Sequence, residues 1–172
     1  MPLSADSLRS HLDYTAWASG LLVDAARQLL PEELNRDFGT GDKSVFGTLR
    51  HIYAGDRIWL ERVRGDSPGS LIRPGDLDFD ALQQAWPEVL QDWKDWAAGL
   101  TDATAQSDIP YRLTNGSGDQ QPAWQIVMHL VNHGTHHRGA VSGFLRAMGH
   151  PPPKLDLIIY YRSLAAARST AS

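Results

Sequence analysis

The chain has 172 residues, of which 42% are hydrophobic and 21% charged, values typical of a single soluble globular domain with a substantial core. The net charge of −4, with scattered basic residues, argues against a nucleic-acid-binding protein. The absence of cysteine excludes disulfides, a thiolate nucleophile and any cysteine-ligated metal site. The first residues, "MPLSADSLRS", do not resemble a signal peptide, and no apolar stretch reaches about 18 residues. We therefore expect a cytoplasmic protein that does not cross a membrane.

Apolar residues recur at helical spacing in four long segments, and each segment is bounded by capping, proline or glycine residues. These predicted helices span about 5–30, 45–64, 80–100 and 122–148. A shorter helix is predicted at about 157–167, before a loose tail. No strand pattern is comparably strong. The sequence therefore predicts an all-α four-helix bundle with a short extra C-terminal helix, in one domain over residues 1–172.

Three local features interrupt or connect these helices. Pro87 lies inside the third helical pattern, which predicts a kink or a late helix start. The segment "YRLTNGSGDQQ" predicts a small hairpin around Asn115 and Gly116. The segment "PEELNRDFGTGDKS" is predicted to be a loop. Its "GTGDKS" part is not a phosphate-binding loop, because Asp42 replaces the required glycine and no strand precedes it.

Four of the seven histidines lie in "HLVNHGTHHRG", residues 129–139 of the fourth predicted helix. His133 and His137 fall on its apolar face, one turn apart, so both imidazoles can reach a single metal ion. His51 occupies an apolar position of the second predicted helix and is the candidate third ligand. Three histidines with a free fourth position are the usual layout of a catalytic metal site. The alternative is a set of neutral histidines packed in the core.

Neighbouring polar residues each allow two interpretations. His129, one turn before His133, is a candidate alternative ligand or a partner of a ligand. Asp56 either orients a ligand or is a solvent-exposed partner of a nearby arginine, and the exposed position is favoured. Arg138 either guides an acidic thiol into the site or forms a surface salt bridge, which is again favoured. Three aromatic residues either line the pocket or pack in the core: Tyr14, Trp17 and Trp59.

Two segments, "TLRHIYAGDRIWLERVRG" and "HLVNHGTHHRGAVSGFLRAMGHPPPKLDLIIYYR", are similar to the DinB/YfiT-like superfamily of metal-dependent helical-bundle enzymes. The likeness extends to "YTAWASGLLVDAARQLLPEEL" in the first predicted helix. This resemblance implies a bundle of up-down-down-up connectivity, often a homodimer. It also implies one divalent ion, commonly zinc or nickel, bound by three histidines. Carried over by motif, these ligands are His51, His133 and His137.

The residues around the histidines favour some reactions over others. No glutamate follows the first histidine of "HGTHH", so the general base of an HExxH peptidase is absent. Paired Glu-x-x-His units, which carboxylate-bridged di-iron proteins use, are also missing. A neutral three-histidine site would leave the ion fully charged and able to acidify bound water or thiol.

Three functions follow from these considerations. A thiol needs less acidification than water because its free pKa is already about 8.5. The leading hypothesis is therefore a transferase for a low-molecular-weight thiol of the bacillithiol or mycothiol type, used by a branch of the superfamily, acting on a small molecule. A metal-dependent hydrolase is the second hypothesis. The third is a non-catalytic, stress-related bundle that binds a partner or a structural metal, with the ion closed by a fourth ligand such as His129.

Overall fold

The computed structural model describes residues 3–66 and 68–170, and over these residues it contains seven α-helices and one two-stranded antiparallel sheet. A short 3-10 turn, Pro74–Leu77, precedes the third long helix. The helices and strands, in chain order, are α1 Ala5–Ala26, α2 Pro31–Leu34, α3 Val45–Val63, α4 Phe79–Ala98, α5 Asp102–Ala105, β1 Asp108–Arg112, β2 Gly118–Pro122, α6 Ala123–Ala147 and α7 Leu157–Thr170.

The long helices α1, α3, α4 and α6 form a four-helix bundle, and side-chain contacts fix the direction of the first three. Arg9, near the start of α1, donates a hydrogen bond to the carbonyl oxygen of Ala97 at the end of α4, so these helices are antiparallel. Phe46 packs edge-on against Phe79, and both lie at the starts of their helices. The helices α3 and α4 are therefore parallel.

The direction of α6 follows in the same way. Trp59, near the end of α3, contacts His129, near the start of α6, so this pair is antiparallel. The first halves of α1 and α6 share one apolar cluster, and their second halves share another, so these helices are parallel. The connectivity is up-down-down-up. The predicted all-α bundle with an extra C-terminal helix is confirmed.

The helix boundaries follow from capping. The hydroxyl oxygens of Ser4 and Ser44 accept hydrogen bonds from backbone N–H groups in the first turns of α1 and α3. Asp78 caps α4 in the same way, and the helix continues through Pro87, so a late helix start there is wrong. Pro122 immediately precedes α6, where its missing N–H costs no helical hydrogen bond.

The hairpin and the C-terminal helix are the two smaller elements that were predicted from the sequence. Strands β1 and β2 pair around the predicted turn, in which Gly116 has a φ of 84°, a conformation that favours glycine. At the C-terminus the loose tail expected from about residue 167 is wrong as far as Thr170, since α7 extends to that residue. Residues 171–172 of the predicted tail lie outside the described part of the chain.

The core consists of two apolar clusters separated by a polar layer. One cluster uses the first halves of α1 and α6 with the second halves of α3 and α4, and the other uses the complementary halves. The buried side chains between them are polar: Thr15, Ser19, Asp56 and Arg138. The histidines of α3 and α6 occupy the same level of the bundle. Over the described ranges, no helix has both the length and the apolar content that crossing a membrane requires.

Candidate metal centre

His51, His133 and His137 meet between α3 and α6. One coordinating atom from each residue lies within 4.8 Å of the others. The Nε2 atoms of His51 and His133 are 2.9 Å apart, and the His137 ring centroid lies 4.4 Å from that of His51. Two nitrogens bound to one tetrahedral ion at about 2.05 Å stand about 3.3 Å apart. A small opening of the cluster would therefore accommodate a divalent ion.

The protonation state of the histidine cluster favours the binding of a metal cation. Burial is the main cause that lowers the pKa of His133 to about 4, and the neighbouring imidazoles lower it further. Burial and His51 also lower the pKa of His137, although Asp42 partly opposes this shift. Both rings are therefore neutral near pH 7. Neutral imidazoles offer nitrogen lone pairs, which zinc, nickel and other divalent ions prefer.

Asp42, which no sequence motif marks as a site residue, lies behind two of the three rings. One carboxylate oxygen is 3.6 Å from Nδ1 of His51, and the other is 3.4 Å from Nδ1 of His137. A carboxylate on the far nitrogen of a coordinating histidine fixes the tautomer and raises the basicity of the nitrogen that faces the ion. This contact leaves Nε2 of both rings available for coordination. Asp42 is therefore the residue best placed to orient the cluster.

The loop before α3 holds Asp42 in this position. The Phe38 N–H donates to the carbonyl oxygen of Lys43, and the Phe38 ring stacks on Phe144 of α6 at 4.3 Å. A Cβ at Gly47 would lie 2.0 Å from the carbonyl oxygen of Asp42, so only glycine permits this approach of loop to helix. Glycine in the first turn of a helix is the one sequence signal that indicated such an approach.

A cavity opens beside the cluster, and neither Asp42 nor His137 lines it. Gly55 makes room for the cluster itself, because a Cβ there would lie 3.0 Å from Cε1 of His133. The cavity has a volume of about 250 Å³ and ends under the β1–β2 hairpin. Its walls are His51, Gly55, Ile58, Trp59, Arg62, Leu71, Thr114, His129 and His133. Two of the three clustered histidines thus face a space that a small ligand could enter.

Comparison with known proteins identifies the family. The DinB family model matches residues 1–168. The chain belongs to the DinB family. It is 22% identical over 157 residues to Protein DinB of Bacillus subtilis (strain 168), an alignment that covers 86% of this chain and 90% of that protein. It also resembles the crystal structure of a DinB-like protein from Bacillus cereus ATCC 10987, with a TM-score of 0.68 at 17% identity. That match covers 90% of this chain and 99% of the other, and it shows the shared fold.

Two of the additional residues singled out in the sequence of this DinB family member lie at the cavity. The His129 ring packs edge-on against Trp59, with centroids 5.3 Å apart, and stacks on His133 at 5.8 Å. Burial, together with the charge of Arg62, lowers the pKa of His129, so this imidazole is also neutral near pH 7. His129 does not belong to the group whose coordinating atoms converge. Trp59 and His129 are therefore wall residues.

Asp56 lies in the core of the bundle and does not border the cavity. It is fully buried, and its Oδ2 accepts a hydrogen bond of 2.8 Å from Nε1 of Trp86. Nε1 of Trp93 donates to the backbone carbonyl oxygen of Asp56 at 2.9 Å. The expectation of a solvent-exposed partner for Arg57 or Arg62 is wrong, because this face of α3 packs against the two tryptophans of α4.

Arg138 is also buried, with 1% of its surface exposed, so the expected surface salt bridge is wrong. Its guanidinium donates to the hydroxyl oxygen of Thr135, one turn earlier in α6, at 3.1 Å, and the side chain extends toward α1. A second, longer contact of 3.4 Å reaches the hydroxyl of Ser19, and the guanidinium lies over the Tyr14 ring. Although Arg138 follows His137 directly, it lies on another face of α6 and does not reach the cavity beside the histidines.

Tyr14 and Trp17 both pack against α7. The Tyr14 hydroxyl donates to the carbonyl oxygen of Leu155, and both rings contact Tyr160 of α7. Neither residue borders the cavity beside the histidines. Of the three aromatic residues considered as pocket walls, only Trp59 has that position. The periodicity of α1 indicates an inward face but does not indicate which neighbouring helix that face meets.

Proposed function

We propose that this DinB family protein is a metal-dependent enzyme in which His51, His133 and His137 bind one divalent ion, zinc or nickel. The observation that carries the proposal is the convergence of three coordinating atoms within 4.8 Å beside a cavity of about 250 Å³. Three protein ligands leave a coordination position for a substrate, which is the arrangement of catalytic rather than structural sites.

Transfer of a low-molecular-weight thiol to a small electrophile is the reaction we favour. A bound divalent ion would supply Lewis acidity, which lowers the pKa of a coordinated thiol or water. Among the described residues, the cavity walls include no carboxylate, so no aspartate or glutamate of this part of the chain is available there as a strong general base. A thiol needs such a base less than water does, because its free pKa is about 8.5. Since the chain has no cysteine, the sulfur would be that of a cosubstrate.

Hydrolysis is the second candidate, and His129 favours it. This neutral imidazole lines the cavity one turn from His133, where it is placed to accept a proton from a nucleophilic water. Its role would differ between the two reactions. A His129→Gln substitution would lower hydrolysis strongly, whereas thiol transfer would lose little.

The non-catalytic alternative requires a closed metal site. His129 was considered as the fourth ligand, but its ring stacks on His133 and packs against Trp59, and it does not belong to the converging group. An open site beside a cavity therefore supports an enzyme more than a structural ion. The homodimer remains a prediction, which sedimentation velocity of the purified protein would test.

The decisive experiment compares thiol transfer and hydrolysis in the same preparations. Zinc-loaded and metal-free protein would be assayed with 2-mercaptoethanol and 1-chloro-2,4-dinitrobenzene, and separately with 4-nitrophenyl acetate. We expect metal-dependent thiol transfer that falls by on the order of 100-fold in His133→Ala. His136→Ala is the matched control, since that neighbouring histidine is exposed and lies outside the cluster. Equal rates with and without metal in both assays would contradict the proposal.

A further inference from the structure

Arg62 is held rigidly in the wall of the cavity beside the three histidines. Only 6% of its surface is exposed. Its Nε donates a hydrogen bond of 3.1 Å to the carbonyl oxygen of Arg112 in the hairpin. The guanidinium carbon lies 4.7 Å from the centroid of the Trp59 ring and 5.6 Å from that of Tyr111. The backbone contact and the two rings together fix the plane and direction of the guanidinium.

This buried guanidinium has no anionic partner among the residues that the structure describes. Three other arginines near α3 each pair with a carboxylate: Arg57 with Asp76, Arg64 with Asp92 and Arg73 with Glu61. Arg62 forms no such pair, and its only hydrogen bond to the described residues uses Nε. Burial of an unpaired cation is costly. Its terminal nitrogens therefore remain free to bind an anion that enters the cavity.

Arg62 lies at a distance from the histidines that sets the length of such a ligand. It follows His51 by 11 residues on the same face of α3. At about 1.5 Å per residue their Cα atoms are separated by about 16 Å along the helix. Both side chains lean toward the N-terminus of the helix, and the arginine side chain shortens this gap because it is the longer of the two. A ligand that reaches both ends must be extended by several bonds, with Trp59 and His129 along its middle.

We propose that Arg62 is the specificity-determining anchor of the cavity and that the small-molecule ligand is an extended monocarboxylate. Its carboxylate binds the two terminal nitrogens of Arg62, and its opposite end reaches the histidine cluster. A carboxylate matches the planar fork of a single guanidinium. Arg62 is the one permanent cation among the described residues of the cavity wall, so a singly charged group is favoured over a phosphate dianion. Only the identity of the opposite end as a thiol rests on the proposed function.

The test measures binding of four linear probes by calorimetry. These are 6-mercaptohexanoate, 6-mercaptohexanol, hexanoate and hexanol, each titrated into zinc-loaded and into metal-free protein. We expect the wild-type protein to bind each carboxylate at least about tenfold more tightly than the matching alcohol, the usual effect of a charge-assisted hydrogen bond. Arg62→Met should remove this preference while leaving the affinity for the alcohols unchanged. Arg64→Met removes an exposed salt bridge with Asp92, and this variant should retain the preference for carboxylates.

A second variant tests the inference even if Arg62→Met fails to fold. Arg62→Lys keeps the positive charge but removes the bidentate fork, and it should retain only part of the carboxylate preference. The inference is overturned if the wild-type protein does not distinguish carboxylates from alcohols, if no probe binds, or if the preference survives in Arg62→Met.

The same titrations separate this inference from the proposed thiol chemistry. If hexanoate binds zinc-loaded protein as tightly as 6-mercaptohexanoate and both depend on Arg62, the anchor is supported and the thiol proposal fails. If 6-mercaptohexanol binds only when zinc is loaded, and no carboxylate preference exists, the thiol proposal is supported and the anchor is refuted.

Discussion

Two adjacent residues of α6, His137 and Arg138, belong to two polar regions with different chemistry. The histidine cluster is partly exposed, borders a cavity and brings together nitrogen atoms of the same kind. The region around Asp56 and Arg138 is buried, and its donors and acceptors lie opposite groups of complementary kind, such as the Trp86 N–H. The comparison shows that inward polar residues alone do not mark a functional site. Convergence of like donor atoms beside open space is the feature on which the proposed metal site rests.

The buried region is only partly satisfied, and this determines its energetics. Oδ1 of Asp56, Nε of Arg138 and Oγ1 of Thr15 are buried without a hydrogen-bond partner among the residues that the structure describes. Burial raises the pKa of Asp56 to about 7, and the Trp86 hydrogen bond and the charge of Arg138 oppose this shift. Such groups are costly to leave unpaired, so removing one of them should disturb the others. We therefore expect this region to affect stability, whereas the histidine cluster is proposed to affect metal binding.

The largest predicted difference between the regions is in stability. Asp56→Ala removes the acceptor of the buried Trp86 N–H and the nearest opposite charge to Arg138. We expect the free energy of unfolding of the metal-free protein to fall by about 3 kcal/mol. Urea titration followed by circular dichroism measures this change.

His133→Ala is the matched control from the histidine cluster. The side chain is only partly buried and is neutral near pH 7, so no buried charge pair is lost with it. We expect a loss of less than about 1 kcal/mol in the same titration. Equal losses in the free energy of unfolding of Asp56→Ala and His133→Ala would show that the two regions do not differ in their contribution to stability.

The pH dependence of stability should have opposite signs in the two regions. Burial raises the pKa of Asp56 from 3.8 to about 7, so the folded state binds more protons and the free energy of unfolding falls as pH rises through this window. Burial lowers the pKa of His133 from 6.5 to about 4, so the unfolded chain binds more protons there and stability rises with pH. The change for one group is at most about 1.4 kcal/mol per pH unit.

Two isosteric variants separate these contributions in metal-free protein. As the pH rises from about 5 to about 8, the free energy of unfolding of Asp56→Asn should increase relative to that of the wild-type protein, and that of His133→Gln should decrease. Chemical unfolding at several pH values provides the measurement. If both variants shifted in the same direction, the assignment of opposite pKa shifts would be incorrect.

The smallest predicted effect concerns Asp42, which touches the cluster without belonging to the converging group. Asp42→Asn removes the negative charge from the Nδ1 side of His51 and His137. We expect zinc affinity to fall by about tenfold, as is usual for such partners, with little change in stability. Competition with a chelator measures the affinity, and Asp24→Asn on the exposed surface of α1 is the control. Unchanged affinity in Asp42→Asn would show that the carboxylate does not orient the rings.

Much of the fold was predictable because the apolar periodicity of each long helix and its caps are local signals. The boundaries at Ser44 and Pro122 needed only neighbouring residues, and the turn at Gly116 needed only its own sequence. The convergence of His51 with His133 could also be inferred, since imidazoles at apolar positions of two helices require partners. That these three residues bind a metal remains a prediction.

The environments of single polar residues were not predictable from local patterns. Asp56 and Arg138 were assigned to the surface, but both face helices that are distant in sequence. Asp42 reaches the cluster through a loop whose path depends on Gly47 and on the stacking of Phe38. The role proposed for Arg62 depends on a hairpin that follows it by about 50 residues. These contacts are tertiary, and periodicity carries no information about them.

The central claim is that His51, His133 and His137 bind one divalent ion, and metal stoichiometry tests it most directly. Protein purified without an affinity tag would be reloaded with zinc near neutral pH, desalted and analysed by inductively coupled plasma mass spectrometry beside His133→Ala and His136→Ala. The account predicts about one ion per chain in the wild-type protein and in His136→Ala, and little in His133→Ala. Equal, near-zero metal in all three proteins would contradict it, and the cluster would then be a packed group of neutral histidines.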